Sequence, residues 1–258
     1  MNNNSIDKKR VEQCFKKSIE TYNQNALIQD CICNDTIALL TKTCGSVFSK
    51  VFEIGAGTGL CTKKILKNCT VKDIILNDLV TEMKPVLQTI CETFPSLSIS
   101  YQMGDAETIS YPTNCNLIIS TSSIQWFTQH QTFLEKSHQS LATGGILALS
   151  SFGPGNITEI AQISGKKLQY PTIENWQRML SEHFEILHLS EKSYTMHFDK
   201  PSDILNHMKH TGVNGIESAR WTKKDMLDFT EAYKQFYTEK GYSLTYQPIY
   251  ILCRKKNL

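Results

Sequence analysis

The residues with the clearest chemical potential are the alternating glycines of GAGTG, residues 55–59, which follow the apolar stretch VFEI. A strand-like stretch, a glycine turn and a helix-like stretch, in that order, are typical of sites for nucleotide-like ligands. Dinucleotide sites use GxGxxG, in which the third glycine falls one residue later. The acidic Glu53 lies two residues before the first glycine. A carboxylate there would repel phosphates but attract an ammonium or sulfonium group.

Two more acidic residues follow predicted strands farther along the chain. Asp78 ends the stretch VKDIILND, and Asp105 follows LSISYQMG. Asp78 could accept hydrogen bonds from both hydroxyls of a ribose, and Asp105 could accept one from an adenine amino group. This acid-rich set predicts a cationic nucleoside without phosphates, S-adenosylmethionine, rather than NAD.

The composition predicts a globular protein whose partners are neither nucleic acids nor membranes. Of the 258 residues, 40% are hydrophobic, and the net charge is only +2. The polar N-terminus has no signal-like apolar region, and no apolar run reaches 18 residues, so we expect a cytoplasmic protein. The nine cysteines include no C-x-x-C pair and the seven histidines no H-E-x-x-H pattern, which predicts free thiols and no metal.

Strand-like and helix-like stretches alternate over residues 47–152, which predicts βαβ units and a parallel sheet with helices on both faces. The expected fold is α/β, with a Rossmann-like, seven-stranded, mostly parallel sheet and a helical cap over the ligand-binding edge. We divide the single domain 1–258 into N-terminal helices (1–45), a cofactor-binding core (46–155), partly helical cap insertions (156–241) and a last strand (242–258).

Some segments carry more local predictions. Residues 8–30 are predicted as one amphipathic helix, and a second helix is expected around 34–43. Residues 184–198 are expected to form one long strand. The last strand contains Pro248. Because proline has no backbone N–H, we expect this residue at a bulge or at a strand position that needs no hydrogen-bond donor.

Short motifs along almost the whole chain resemble those of one enzyme family. EIGAGTG resembles a cofactor turn, NDLVTEM the end of a ribose-binding strand, and GDAE an adenine-binding turn. These resemble class I methyltransferases in general. Other motifs resemble those of a narrower group, the malonyl-acyl-carrier-protein O-methyltransferases that begin pimeloyl synthesis for biotin. These motifs are IQW followed by FGPG, then TGVNG and the LTY strand.

The resemblance implies roles for individual residues. The turn glycines would let the backbone approach the methionine part of S-adenosylmethionine, and Met83 and Ala106 would pack against adenine. Tyr22 and Gln29 would close over the methyl donor. The expected cofactor-binding residues are Tyr22, Gln29, Glu53, Gly55, Ala56, Gly57, Gly59, Asp78, Met83, Asp105, Ala106, Ser120 and Thr121.

The substrate that the resemblance implies is the free carboxylate of a malonyl group on acyl carrier protein or on coenzyme A. This carboxylate is ionised at pH 7, so no catalytic acid or base is expected. The expected substrate-binding residues are Tyr22, Trp126 and a cation from Lys209, His210 or Arg220. Two alternatives stay open. One is another small-molecule O- or C-methyltransferase, acting on a free acid or a quinone precursor, and the other is a non-catalytic subunit that binds the cofactor.

Overall fold

The computed structural model describes residues 6–165, 168–211 and 222–257. Its strands are β1 (Val47–Ile54), β2 (Thr70–Asn77), β3 (Ser98–Tyr101), β4 (Cys115–Thr121), β5 (Leu141–Phe152), β6 (Phe184–Glu191), β7 (Tyr194–Phe198), β8 (Tyr237–Thr238), β9 (Gly241–Tyr246) and β10 (Pro248–Lys255). Its α-helices are α1 (Lys8–Ser18), α2 (Tyr22–Asn25), α3 (Leu27–Cys44), α4 (Leu60–Asn68), α5 (Met83–Cys91), α6 (His130–Ser140), α7 (Thr158–Ser164), α8 (Ile173–Ser181), α9 (Pro201–His210) and α10 (Lys223–Tyr233). None of the helices in these ranges is long and apolar enough to cross a membrane.

In the described part of the chain, seven strands form one sheet in the order β3-β2-β1-β4-β5-β10-β6. Neighbouring strands are parallel from β3 to β5, whereas β10 is antiparallel to both β5 and β6. The predicted seven-stranded, mostly parallel α/β sheet is therefore confirmed. Because parallel strands share one direction, β1, β2 and β4 end at the same edge, where ligands bind in such folds.

Successive residues of the central strands pack on opposite faces of this sheet. Val51 and Ile74 belong to the apolar cluster that includes α3, α4 and α5. Their neighbours Phe52 and Ile75 belong to the cluster that includes α6 and α8. Both faces are thus covered by helices, which explains why β2 and β4 each contain three consecutive apolar residues, at positions 74–76 and 117–119, rather than a strict alternation with polar ones.

A second, antiparallel sheet in the order β7-β9-β8 forms a cap together with α7, α9 and α10. Its apolar cluster includes Ile204 of α9, Tyr233 of α10 and Leu244 of β9. Phe152, at the end of β5, and Ile32 of α3 belong to the same cluster. The cap therefore rests on the carboxyl edge of the main sheet and on the N-terminal helices.

The predicted extent of the cap, residues 156–241, is too broad. β6 is an edge strand of the main sheet, and α8 packs against it. Trp176 and Leu180 of α8 are fully buried in the main core. α8 and β6 form one further helix–strand unit that follows the α7 insertion, so the apolar face of α8 covers sheet rather than ligand.

Two predicted strands each divide between the two sheets. Residues 184–198 form β6 in the main sheet and β7 in the cap. Residues 242–258 contain all but the first residue of β9, which lies in the cap, and the whole of β10, which lies in the main sheet. At the corner between β9 and β10, the backbone N–H of Gln247 donates to Asn156 Oδ1 over 3.2 Å. Pro248 is the first residue of β10, where its missing N–H costs least.

The prediction of one helix over residues 8–30 is also wrong, since α1 ends at Ser18 and α3 begins at Leu27 and includes the stretch predicted as a separate second helix. The Thr21 hydroxyl donates to the Ser18 carbonyl oxygen, and the Asn25 amide donates to the Thr21 carbonyl oxygen. Such bonds from side chain to backbone compete with helix continuation.

Truncation of Trp176 tests whether α8 is part of the main core. We expect Trp176→Ala to lower the free energy of unfolding by about 3–5 kcal/mol, because it removes a side chain that is 0% exposed from the core cluster that also includes Phe184 of β6. Leu227→Ala, at a residue of α10 that is 70% exposed, is the control and should change stability by about 0.5 kcal/mol or less. Urea denaturation followed by fluorescence and circular dichroism measures both. A loss below about 1 kcal/mol for Trp176→Ala would contradict the assignment of α8 to the main core and would favour the predicted cap.

Candidate active site

The glycine turn joins β1 to α4, and its three glycines are required for different reasons. Gly55, Gly57 and Gly59 have φ values of +71°, +54° and +76°. A Cβ atom at Gly55 would overlap Ser123, and one at Gly59 would overlap Ile90 of α5. A Cβ atom at Gly57 would meet no protein atom within 4 Å. Gly57 therefore borders open space, in which a ligand can approach the backbone.

Asp78 holds this turn against the end of β2. Its Oδ2 accepts a hydrogen bond from the Gly57 backbone N–H at 2.7 Å, and its Oδ1 accepts one from the Val80 N–H at 2.8 Å. Burial raises the pKa of Asp78 to about 6, although both hydrogen bonds act in the opposite direction. Asp78, which is predicted to bind ribose, therefore also fixes the backbone of Gly57, the residue that borders the open space.

Glu53 lies beneath the turn and is 1% exposed. Its Oε2 accepts a hydrogen bond from the Thr62 hydroxyl at 2.7 Å, whereas its Oε1 is buried and has no hydrogen-bond partner among the described residues. Burial, with a contribution from the charge of Asp78, raises the pKa of Glu53 to about 8. Neither Glu53 nor Asp78 is ion-paired with a described residue, and two buried carboxyl groups without such a partner favour a positively charged ligand, so the site fits S-adenosylmethionine.

A cavity of about 970 Å³, which includes its open mouth, lies between the turn, the ends of β2 and β4, and the N-terminal helices. Most of the predicted site residues line it. These are Tyr22, Gln29, Gly55, Ala56, Gly57, Asp78, Met83, Asp105, Ala106, Thr121 and Trp126. Glu53, Gly59 and Ser120 lie behind this wall. We call this space the cofactor cavity.

Helix α1 covers the cofactor cavity and contacts the residue predicted to bind adenine. Lys8 Nζ donates to both carboxylate oxygens of Asp105, at 2.8 and 2.6 Å, and also pairs with Glu107. Asp105 is therefore ion-paired in this structure rather than free. The sequence analysis missed Lys8, although its spacing to Val11 and Phe15 (i, i+3, i+7) indicates that the three share one face of α1.

A second cavity, of about 360 Å³, adjoins the first beneath the cap. Tyr22, Gln29 and Trp126 line both cavities, so they form part of the wall that a substrate and a cofactor would share. The cap side contributes Asn156, Tyr170 and Tyr246, none of which the sequence analysis identified, together with Phe152 and Thr211. We call this space the acyl cavity.

Of the three residues predicted to supply a cation, the two that the structure describes border neither cavity. Lys209 is exposed and His210 is half-buried, and neither lines the cofactor cavity or the acyl cavity. Both lie in the last turn of α9, whose buried face instead presents His207, bonded to the Tyr246 hydroxyl at 2.9 Å. Arg220 lies outside the described residues.

The end of β4 supplies two residues that the sequence analysis did not identify. Ser122 and Ser123 line the cofactor cavity, and Ser122 also lines the acyl cavity. Ser122 has a φ of +51°, which is uncommon for a residue other than glycine and is often found at functional sites. Nothing in the sequence signals this backbone conformation. The neighbouring Thr121 hydroxyl contacts the Cys33 sulfur at 3.2 Å.

Known structures share this fold. The chain superposes on the N-methyltransferase NodS from Bradyrhizobium japonicum in complex with S-adenosylhomocysteine, with a TM-score of 0.58 and 14% sequence identity over 96% of this chain and 100% of that one. It also superposes on the YcgJ protein from Bacillus subtilis, with a TM-score of 0.61 and 16% identity over 87% of this chain and 100% of that one. At these identities the likeness concerns the fold.

Sequence similarity is closer and extends over nearly the whole chain. A methyltransferase domain family profile matches residues 52–149. The malonyl-[acyl-carrier protein] O-methyltransferase of Bacteroides thetaiotaomicron is 36% identical over 98% of this chain and 100% of that protein. The enzyme of the same name from Haemophilus ducreyi is 35% identical over 98% of both chains. This chain therefore belongs to the malonyl-[acyl-carrier protein] O-methyltransferase family of S-adenosylmethionine-dependent enzymes.

Proposed function

We propose that this protein methylates the free carboxylate of a malonyl group carried on acyl carrier protein, giving the malonyl methyl ester. Relatives named for that reaction match it over nearly their full length. The ester hides a charge that fatty-acid elongation enzymes would reject, which suits a primer for pimeloyl and biotin synthesis. The carrier protein is the proposed partner because those relatives are named for it.

The structural observation that carries this proposal is the neutral wall of the acyl cavity. Among its described lining residues there is no Asp, Glu, His, Lys or Arg. Burial raises the pKa of Tyr170, one of its tyrosines, to about 12, so this side chain stays protonated at neutral pH. A wall without a base suits a nucleophile that is already ionised, such as a carboxylate, better than a hydroxyl or an ammonium group.

The reaction moves no proton. S-adenosylmethionine, when bound, supplies the methyl group: a lone pair of the carboxylate oxygen bonds to the methyl carbon, and the electron pair of the broken carbon–sulfur bond stays on sulfur. The task of the protein is therefore to bind, orient and desolvate the carboxylate. Tyr22, Gln29 and Trp126 border both cavities, and we assign them to the junction where the two reactants meet.

For the cofactor, we assign each residue the contact that its position allows. Gly57 would let the methionine part approach the backbone, and Asp78 would bind the ribose with lone pairs not used by its two backbone donors. Met83 and Ala106 would pack against adenine. Asp105 could accept the adenine amino group only by sharing its carboxylate with Lys8 or after Lys8 moves.

Substitution of Gly57 tests where the cofactor lies. In Gly57→Ala the new methyl group projects into the cofactor cavity rather than against protein. We expect the affinity for S-adenosylhomocysteine, measured by isothermal titration calorimetry, to fall at least about tenfold, or roughly 1.4 kcal/mol.

Gly144→Ala is a matched control, because Gly144 also has a positive φ, of +71°, and an added Cβ would likewise meet nothing within 4 Å. It is exposed and lines neither cavity. Both variants carry the backbone strain of an alanine at positive φ, about 1–2 kcal/mol. Only Gly57→Ala should lose affinity. If the two variants bind S-adenosylhomocysteine equally well, Gly57 does not border the cofactor.

A substrate panel tests the proposed reaction. The protein is incubated with methyl-labelled S-adenosylmethionine and, in separate reactions, with malonyl-acyl carrier protein, malonyl-CoA, free malonate and acetyl-acyl carrier protein. We expect label on the malonyl thioesters, as a base-labile methyl ester, and none on the acetyl thioester, which has no free carboxylate. Equal or faster transfer to free malonate would favour the free-acid alternative. Absence of label on every malonyl compound would overturn the proposed function.

A further inference from the structure

The acyl cavity contains a tyrosine hydroxyl whose hydrogen-bond geometry leaves its proton free. Asn156 Nδ2 lies 3.1 Å from the Tyr170 hydroxyl oxygen. Asn156 is 2% exposed, and Tyr170 lies in the segment between α7 and α8. Both side chains line the acyl cavity.

The orientation of the Asn156 amide is fixed by the corner between β9 and β10. The Gln247 backbone N–H donates to Asn156 Oδ1, so this atom must be the carbonyl oxygen and Nδ2 must be the donor toward Tyr170. The Tyr170 oxygen thus accepts a hydrogen bond. Its own proton has no acceptor among the described residues and remains available for a ligand.

Gln247, at the corner between β9 and β10, also accepts hydrogen bonds from the segment that precedes Asn156. The Gly155 N–H donates to Gln247 Oε1 at 2.6 Å, and the Gly153 N–H donates to the Gln247 carbonyl oxygen at 2.8 Å. An added Cβ at either glycine would come too close to the Gln247 side chain. The position of the Tyr170 hydroxyl is therefore fixed by a chain of hydrogen bonds that runs through Asn156 to Gln247 and its neighbours.

The reaction itself argues against a fixed cation in this cavity. Before transfer, the carboxylate is negative and the sulfonium is positive; afterwards, the ester and the thioether are both neutral. A Lys or Arg side chain buried against the carboxylate would lose its counter-ion as the ester forms. It would stabilise the substrate more than the transition state and would slow the transfer. A neutral donor orients the carboxylate and leaves no unpaired charge behind.

We propose that the acyl cavity binds the malonyl carboxylate through the hydroxyl of Tyr170, with Asn156 as its positioning residue; no lysine or arginine is among the described residues that line this cavity. This inference rests on the proposed function, because it concerns the same substrate. Tyr170 donates to the carboxylate oxygen that does not take the methyl group, which leaves the other oxygen free to react. Selectivity for an acid over an ester then arises from this bond together with the positive charge of the cofactor.

Removal of the Tyr170 hydroxyl tests the contact. In Tyr170→Phe we expect the KM for malonyl-acyl carrier protein to rise at least about tenfold, because a hydrogen bond to a charged group is lost, while the ring and its packing remain. In calorimetric titrations with S-adenosylhomocysteine present, malonyl-acyl carrier protein should bind correspondingly more weakly. Binding of its methyl ester and of S-adenosylhomocysteine should change less than about threefold.

Tyr242→Phe is the matched control, since Tyr242 is a half-buried tyrosine of the cap sheet that lines neither cavity. It should keep the wild-type KM and the wild-type affinity. If Tyr170→Phe behaves like Tyr242→Phe while the wild-type protein methylates malonyl-acyl carrier protein, the inference is wrong and the proposed function stands. If the wild-type protein neither binds nor methylates malonyl thioesters, both are wrong.

A double-mutant cycle tests the role of Asn156. Asn156→Ala alone should raise the KM for malonyl-acyl carrier protein by several-fold, because Tyr170 is no longer held in place. In the Tyr170→Phe background the same substitution should change KM by less than about twofold. An equal effect in both backgrounds, with folded protein verified by circular dichroism, would show that Asn156 does not act through Tyr170.

Discussion

The active site depends on two carboxyl groups that are buried close to each other and that form no ion pair with any described residue. Glu53 and Asp78 lie at the ends of the adjacent parallel strands β1 and β2, and burial raises the pKa of each. Two buried carboxylates are costly to keep ionised. Backbone N–H groups and the Thr62 hydroxyl offset part of that cost. A positively charged ligand would offset more of this free-energy cost, so the buried acids favour a cationic cofactor.

Charge is divided between the two cavities in a way that suits the reaction. The acids are on the cofactor side, whereas the described wall of the acyl cavity is neutral and rich in aromatic residues. In the function proposed above, the substrate carboxylate would therefore meet the charge of the cofactor rather than that of a described side chain of this wall. Since the transfer removes both charges, this arrangement does not leave an ion stranded in the site after the reaction. In the binding mode that we propose, substrate orientation would then depend on neutral hydrogen bonds, such as the one available from Tyr170.

The sequence predicts the sheet and the cofactor side well, because both depend on local patterns. Apolar strands, glycines at positive φ and acids at strand ends all have recognisable spacing, and residues such as Gly57 and Asp78 line the cavity as expected. The acyl side depends on contacts between distant segments. Asn156, in the segment between β5 and α7, contacts Tyr170 and Gln247 only because the corner between β9 and β10 lies next to this segment. Lys209 looks suitable in sequence, but the helical periodicity of α9 turns it to solvent.

Proton release on cofactor binding tests most directly whether the buried acids select a cation. With a pKa of about 8, Glu53 is mostly protonated in the free protein at pH 7, and a bound cation lowers that pKa and expels the proton. Calorimetry of S-adenosylmethionine binding in buffers of different ionisation enthalpy counts the protons. The account predicts net release at pH 7 that is largely lost in Glu53→Gln. Net uptake, or a release that Glu53→Gln leaves unchanged, would contradict it.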